Sequence, residues 1–201
     1  MLYKIVVFIL KILVFLIFNV KTHNLDNFNS LKGRYIICAN HTSMIDPVIL
    51  AVSAKRQIYF MGKKELFENK FFGFIFSKLG AFPVDRSGVS LSSIKSSLAV
   101  LNNEGILGIF PEGTRVKEYS EHNARPGIAL IANKAKADII PVYIQGTYKF
   151  RGKINVYFGG EKNYFENYTG KYNTETYTEI GREILKDIYN LGKDKIESKD
   201  R

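Results

Sequence analysis

Residues 34–54 read RYIICANHTSMIDPVILAVSA, and this stretch decides the architecture. Its opening run, Arg34 to Ala39, is apolar and rich in β-branched and aromatic residues, the pattern of a buried strand. Pro47 to Ala54 is apolar at helical spacing, and Pro47 suits a first helical turn. His41 and Asp46 lie between them, five residues apart. On a regular helix, residues five apart point about 140° away from each other. The two side chains can meet only if His41 sits outside the helix, on a turn after the strand.

Moving outward, short β-rich runs alternate with helical stretches. Strands are expected at 34–39, 57–61, 81–84, 106–110, 139–145 and 153–158. Helices are expected at 47–54, 65–79, 89–103, 127–137 and 174–189. Such alternation predicts an α/β domain with a largely parallel central sheet flanked by helices. The asparagine-rich segment Thr22 to Lys32 reads as a polar linker, and Lys193 to Arg201 as a charged, frayed tail. The expected division is therefore an N-terminal helix over 1–22, one domain over 23–192 and a tail over 193–201. Pro141, in Ile140-Pro141-Val142, is expected at a sheet edge or strand entry.

With 201 residues, 46% of them hydrophobic, the chain can bury a real core, and a single cysteine, Cys38, excludes an internal disulfide. Its formal net charge of +10 admits nucleic acid, an anionic membrane or an acidic substrate or carrier as partner. No helix-turn-helix cue, zinc-finger spacing or RNP-type aromatic motif supports nucleic acid. The N-terminus supports the membrane: residues 1–20 read MLYKIVVFILKILVFLIFNV, with no small-residue cleavage site after them. From Ile5 to Val20 a helix would rise about 24 Å, short of a hydrocarbon core of about 30 Å. Lys4 and Lys11 project to nearly one side, which suits a helix lying in the interface with its lysines reaching outward. A short spanning anchor starting at Met1 is the rival. The aromatic run Phe71 to Phe76, bracketed by Lys63, Lys64, Lys70 and Lys78, reads as a core helix, a second membrane-facing surface or an acyl-groove wall.

Four segments carry the chemistry: Asn40 to Asp46, Gly80 to Arg86, Phe110 to Arg115, and Ile140 to Val142. Histidine is the natural base at neutral pH, and a nearby carboxylate can fix its tautomer and stabilise the imidazolium. Asp46 has a plain alternative as a helix cap, either with Ser43 in a capping box or as the cap ahead of Pro47. Arg86 and Arg115 each follow a hydrophobic stretch and can fork onto a phosphate. Glu112 can accept hydrogen bonds from ligand hydroxyls, and Gly113 permits a tight turn with close ligand approach, followed by Thr114. Lys63 either adds positive charge to that pocket or is simply solvated. Cys38, buried in a strand with no adjacent cation, reads as an inert thiol rather than the partner of His41. His23 and His122 lack metal-ligand spacing, so no metal is expected. Arg125, ahead of Pro126 and Gly127, has no evident task. No nucleophile elbow, Walker A or Gly-x-Gly-x-x-Gly motif is present.

In this order and spacing, the four segments resemble the glycerolipid acyltransferases, most closely the 1-acyl-glycerol-3-phosphate (lysophosphatidate) type, over roughly residues 33–150. The resemblance implies a layered α/β acyltransferase domain in which His41 and Asp46 are catalytic, so it favours catalysis over the cap for Asp46. It implies that Arg86, Glu112, Gly113, Thr114, Arg115 and Lys63 meet the substrate. The implied reaction transfers a fatty acyl group from acyl-CoA or acyl carrier protein, without another cofactor or a covalent acyl-enzyme, to the 2-hydroxyl of lysophosphatidate. The implied setting is the membrane, monotopic or with one short anchor, with the site at the cytoplasmic face. Another acceptor, such as glycerol-3-phosphate, another lysophospholipid or an amino-lipid, is the alternative, and a non-enzymatic membrane-binding module the more distant one. Donors for the oxyanion are expected from backbone N–H groups near Gly113 or at Ser43.

Overall fold

In the computed structural model, which describes residues 2–84, 91–166 and 168–197, every expected strand is present. The first half of the chain forms α1 (Leu2–Ile17), β1 (Asn19–His23), α2 (Leu25–Ser30), β2 (Tyr35–Ala39), α3 (Asp46–Ser53) and β3 (Ile58–Lys63). It continues through α4 (Lys70–Lys78), β4 (Ala81–Val84), α5 (Leu91–Asn102) and β5 (Ile106–Ile109). The last elements are α6 (Gly127–Ala135), β6 (Asp138–Gly146), β7 (Lys153–Phe158) and α7 (Thr174–Glu197).

Seven strands make one sheet in the order β1-β7-β6-β2-β5-β3-β4. From β6 to β4 all neighbours are parallel; β7 runs antiparallel to β6, and β1 parallel to β7. All five residues of β2 are buried, and their alternation divides the core in two. Ile37 and Ala39 pack with Val14, Phe28, Ile49 and Leu50 under α1, α2 and α3. Ile36 and Cys38 pack with Leu101, Ile128, Ile184 and Leu185 under α5, α6 and α7. Each fully buried aliphatic side chain of this kind stabilises the fold by about 1.5–3 kcal/mol. Burial pushes the Cys38 thiol well up, so it stays protonated.

Several boundaries differ from the sequence reading. Residues 19–23, expected to close the N-terminal helix and open a linker, form β1, in register with β7 from Asn19 opposite Lys153 to His23 opposite Tyr157. The expected division after residue 22 thus falls inside a strand of the sheet. The linker is structured further on as α2, where Phe28 stacks on Phe158 at 5.0 Å. The helix expected over 65–79 is divided into a 3-10 turn, Lys64–Phe67, and α4. On α4, Phe71 and Phe74 are exposed while Phe76 meets Phe67 edge-on at 6.2 Å. The helix α7 runs to Glu197, carrying into regular structure residues expected to fray. Pro141 lies on an interior strand, between β2 and β7, rather than at an edge. It is tolerated because the β6–β7 ladder begins one residue later, at Val142 opposite Phe158, and at Pro141 the neighbouring chain needs only an acceptor: Gly159 N–H donates to Pro141 O at 2.8 Å.

On α1, Val7, Leu10 and Val14 recur at helical spacing and pack onto the core, followed by Phe18. The other side leaves Ile5, Phe8, Ile9, Ile12, Leu13, Phe15 and Leu16 exposed. Among the described residues, no helix is long and apolar enough to cross a membrane.

Because β2, β5, β3 and β4 are parallel, their C-terminal ends share one edge of the sheet. The segments Asn40–Asp46 and Phe110–Arg115 follow adjacent strands there, and Lys63 ends the next one. The strand β4 ends at Val84; Arg86, the other expected phosphate ligand, lies outside the described residues.

Candidate active site

The turn after β2 is built around one carboxylate. The side chain of Asp46, fully buried, reaches back from the first position of α3 rather than forward into it. Its Oδ2 accepts the Thr42 and Ser43 N–H groups, each at 2.8 Å, and lies 3.0 Å from His41 Nδ1. Its Oδ1 accepts the Tyr148 hydroxyl. The Ser43 N–H bond is the reach-back half of the expected capping box, so one carboxylate both braces the start of α3 and organises the turn that presents His41. A carboxylate only accepts, so the imidazole nitrogen facing it carries the proton and Nε2 is left as the basic atom.

The ring of His41 is held from below. Phe110 stacks on it with centroids 4.1 Å apart, and Phe60 stacks behind Phe110 at 6.1 Å. Gly108 makes the room, since a Cβ there would lie 2.3 Å from the Phe60 ring. The backbone of His41 is clamped on both sides: its N–H donates to Glu112 Oε2 at 2.8 Å, and its carbonyl accepts Val116 N–H at 2.8 Å. One residue earlier, Asn40 uses its side-chain amide as a strand would use its backbone. Its Nδ2 donates to Ile144 O at 2.9 Å, and its Oδ1 accepts Ile144 N–H at 2.7 Å.

Glu112 borders the cleft beside this turn, but the chain itself uses both of its oxygens. It is 1% exposed, with Oε2 occupied by His41 N–H and Oε1 by the Tyr189 hydroxyl at 2.7 Å. It is a positioning carboxylate. Burial pushes it up to about 7; the bonds from Tyr189 and His41 hold it down, and the charge of Asp46 adds to the rise. Burial and the neighbouring carboxylates push the Tyr148 and Tyr189 phenols up, so both stay protonated donors.

A cleft of about 790 Å³ opens beside this turn. Its lining includes the polar residues His41, Lys63, Glu112, Thr114 and Arg125, with Gly113, and the apolar Met61, Ile109, Ile128 and Ile131. Gly113 sits in the left-handed region at φ 69°, which suits glycine, and the Arg125 stem lies against it in ordinary contact. No described residue forms an ion pair with Arg125, whereas Lys63 pairs with Glu65 at 3.0 Å. Arg115 is exposed and follows Thr114 without lining the cleft. Of the aromatic run, the described side chains Phe71, Phe74 and Phe76 do not line it either. Of the backbone N–H groups expected near Gly113 or at the helix start by Ser43 to serve an oxyanion, those of Ser43 and Gly113 themselves are bonded to Asp46 and to Phe110 O. His23 bonds Asn155 at 3.2 Å and stacks on Tyr157, and His122 is exposed in a 3-10 turn. Among the described residues no cluster of histidine, cysteine or carboxylates could hold a metal ion.

The family model described as Acyltransferase matches residues 19–145, from β1 into β6. The chain belongs to the acyltransferase family. Similar members include the 1-acyl-sn-glycerol-3-phosphate acyltransferase of Bacillus subtilis, 38% identical over 145 residues that span 72% of this chain and 71% of that one. The enzyme of the same name from Streptococcus pneumoniae is 39% identical over 139 residues, 68% of this chain and 51% of its own length. The crystal structure of the 1-acyl-sn-glycerophosphate acyltransferase PlsC from Thermotoga maritima superposes with a TM-score of 0.70 at 20% identity, covering 94% of this chain and 81% of that one. At that identity the superposition speaks for the fold. In this acyltransferase the sequence motifs contain His41 and Asp46, but the two tyrosines that brace the carboxylates come from the loop after β6 and from α7, where no local pattern marks them. Arg125 was visible as a cation; only folding brings it into the cleft.

Proposed function

We propose that the chain transfers a fatty acyl group from an acyl thioester, acyl-CoA or acyl carrier protein, to the 2-hydroxyl of 1-acyl-glycerol-3-phosphate, giving phosphatidate. The observation that carries the reading is the His41–Asp46 pair at 3.0 Å, with His41 lining a cleft that also holds Lys63, Arg125 and several apolar side chains. His41 Nε2 takes the proton of the acceptor hydroxyl as its oxygen attacks the thioester carbonyl carbon. The tetrahedral intermediate collapses, the C–S bond breaks, and the imidazolium returns the proton to the sulfur. Asp46 holds the ring and balances its transient charge. The apolar side chains of the lining suit an acyl chain, since each CH₂ withdrawn from water stabilises binding by about 0.8 kcal/mol. The phosphate is placed among Lys63, Arg125 and Arg115, with Arg86 as a further ligand expected from the sequence. Thr114 and Gly113 form the wall the glycerol would meet.

The reading includes a lipid surface. A helix of 16 residues with one side on the core and a broad apolar side exposed suits a place in the interfacial plane, with Lys4 and Lys11 among the headgroups. The test is an acceptor panel with both donor types, using membranes that contain the expressed protein. Lysophosphatidate should be acylated in preference to glycerol-3-phosphate, other lysophospholipids and neutral monoacylglycerol; preference for any of those would replace the acceptor.

A further inference from the structure

The loop between β6 and β7 connects the surface of the molecule to the catalytic carboxylate. Lys149 O accepts Gly152 N–H at 2.8 Å, closing a turn with Phe150 and Arg151 at its central positions, and Thr147 N–H donates to Lys153 O at 3.0 Å. The turn is tight enough to require glycine at its end: a Cβ at Gly152 would lie 1.9 Å from Thr147 O. A loop bonded to itself in this way moves as one piece. On its inner side Tyr148 donates to Asp46 Oδ1, accepts from Thr42 Oγ1 at 3.3 Å and meets the Phe18 ring edge-on at 6.4 Å. On its outer side it is joined to the end of α1, with Arg151 N–H donating to Ile17 O at 2.6 Å and Asn19 N–H to Gly152 O at 2.9 Å.

At the tip Phe150 is 74% exposed between the exposed Lys149 and Arg151. The adjoining last turn of α1 exposes Leu16 and Ile17. An aromatic ring flanked by cations and continuous with an exposed apolar helix face has the chemistry of a contact with an anionic lipid surface.

We propose that the 147–152 loop is such a contact and that it holds the dyad in register: Phe150 enters the lipid surface beside the end of α1, and Tyr148, two residues away in the same rigid turn, is a positioning residue for Asp46. The turnover it affects is that of the acyl transfer proposed above, so the test includes readouts that need no acceptor.

Three forms of the full chain decide it: wild type, Phe150→Ser and Tyr148→Phe. In co-sedimentation with phosphatidylcholine–phosphatidylglycerol vesicles, Phe150→Ser should bind several-fold more weakly than wild type, and Tyr148→Phe as wild type does. The second variant keeps the ring against Phe18 and loses only the hydroxyl. It should change the low-field proton resonance of the His41 Nδ1–H, assigned with His41→Ala. Its kcat should fall about tenfold with KM for the acceptor within twofold, the split expected when a carboxylate that orients a base loses one hydrogen bond. Vesicle affinity of Phe150→Ser equal to wild type overturns the lipid contact. A Tyr148→Phe enzyme with wild-type kcat and an unmoved His41 resonance overturns the positioning role. The vesicle and resonance measurements settle the inference even where the acceptor panel overturns lysophosphatidate.

Discussion

Two buried carboxylates flank His41, one in the turn after β2 and one in the turn after β5, and they act on different parts of it. Asp46 touches the imidazole and is ringed by four donors: the ring N–H, two backbone N–H groups and the Tyr148 hydroxyl. Glu112 touches only the backbone of His41 and has two donors, and burial lifts it to about 7. One sets which nitrogen reacts and the other where the residue sits. An acidic residue in a motif beside a histidine is therefore insufficient to assign contact with substrate; the atoms it touches must be known.

The largest effect expected from this contrast is on turnover. His41→Ala should lose about 10²–10⁴-fold in kcat with the fold intact by circular dichroism. Asp46→Asn should be similarly impaired, since an amide cannot balance the imidazolium. Glu112→Gln keeps an acceptor for the His41 N–H and should lose no more than about tenfold. A Glu112→Gln enzyme as inactive as Asp46→Asn would dissolve the distinction and return Glu112 to the substrate or the proton.

Binding should come next. Arg125→Ala removes the cation that lies in the cleft without an ion-pair partner among the described residues, and Arg115→Ala one outside its lining. A charge-assisted hydrogen bond contributes about 1.5–3 kcal/mol, so KM for a phosphorylated acceptor should rise about tenfold or more in the first and less in the second. Steady-state kinetics against a neutral monoacylglycerol separate phosphate recognition from general damage. A larger effect at Arg115 would place the phosphate further out along the loop.

The effect with no bearing on turnover or binding is on stability, and its sign follows from Glu112. Its folded-state value of about 7 lies above the ordinary 4.5, so between these values the folded chain keeps a proton that the unfolded chain releases. The stabilisation is complete below pH 4.5 and is lost as pH rises through 7, a change on the order of 3 kcal/mol. Denaturant melts should show wild type losing stability relative to Glu112→Gln across that window. A difference independent of pH would mean that Glu112 is not the group that titrates.

The strands and the His41–Asp46 contact were legible because both are local patterns: apolar runs at 34–39 and 106–110, and a histidine five residues before an aspartate ahead of a proline. What was not legible depended on contacts distant in the chain. Val20 is buried against the sheet, yet in sequence it follows an apolar helix without a break, so β1 was absorbed into that helix. Glu112 looked available because nothing near it in sequence announces Tyr189, 77 residues on. Tyr148 is 102 residues from Asp46. Pro141 suggested an edge because the rule concerns a missing donor, and the sequence does not show that β7 asks only for a carbonyl there. Arg86 lies outside the described residues and stays an expectation.

Asn40 carries a different lesson. Its amide exchanges two hydrogen bonds with the backbone of Ile144, filling the next rung of the β2–β6 ladder after the chain itself has turned away. Aspartate would lack the donor, glutamine would overshoot, and a hydrophobic residue would leave two buried backbone groups unpaired. The letter before the histidine is thus written by the sheet and not by the reaction. An enzyme that kept this scaffold and abandoned acyl transfer would still need that asparagine, and would be free to discard the histidine beside it.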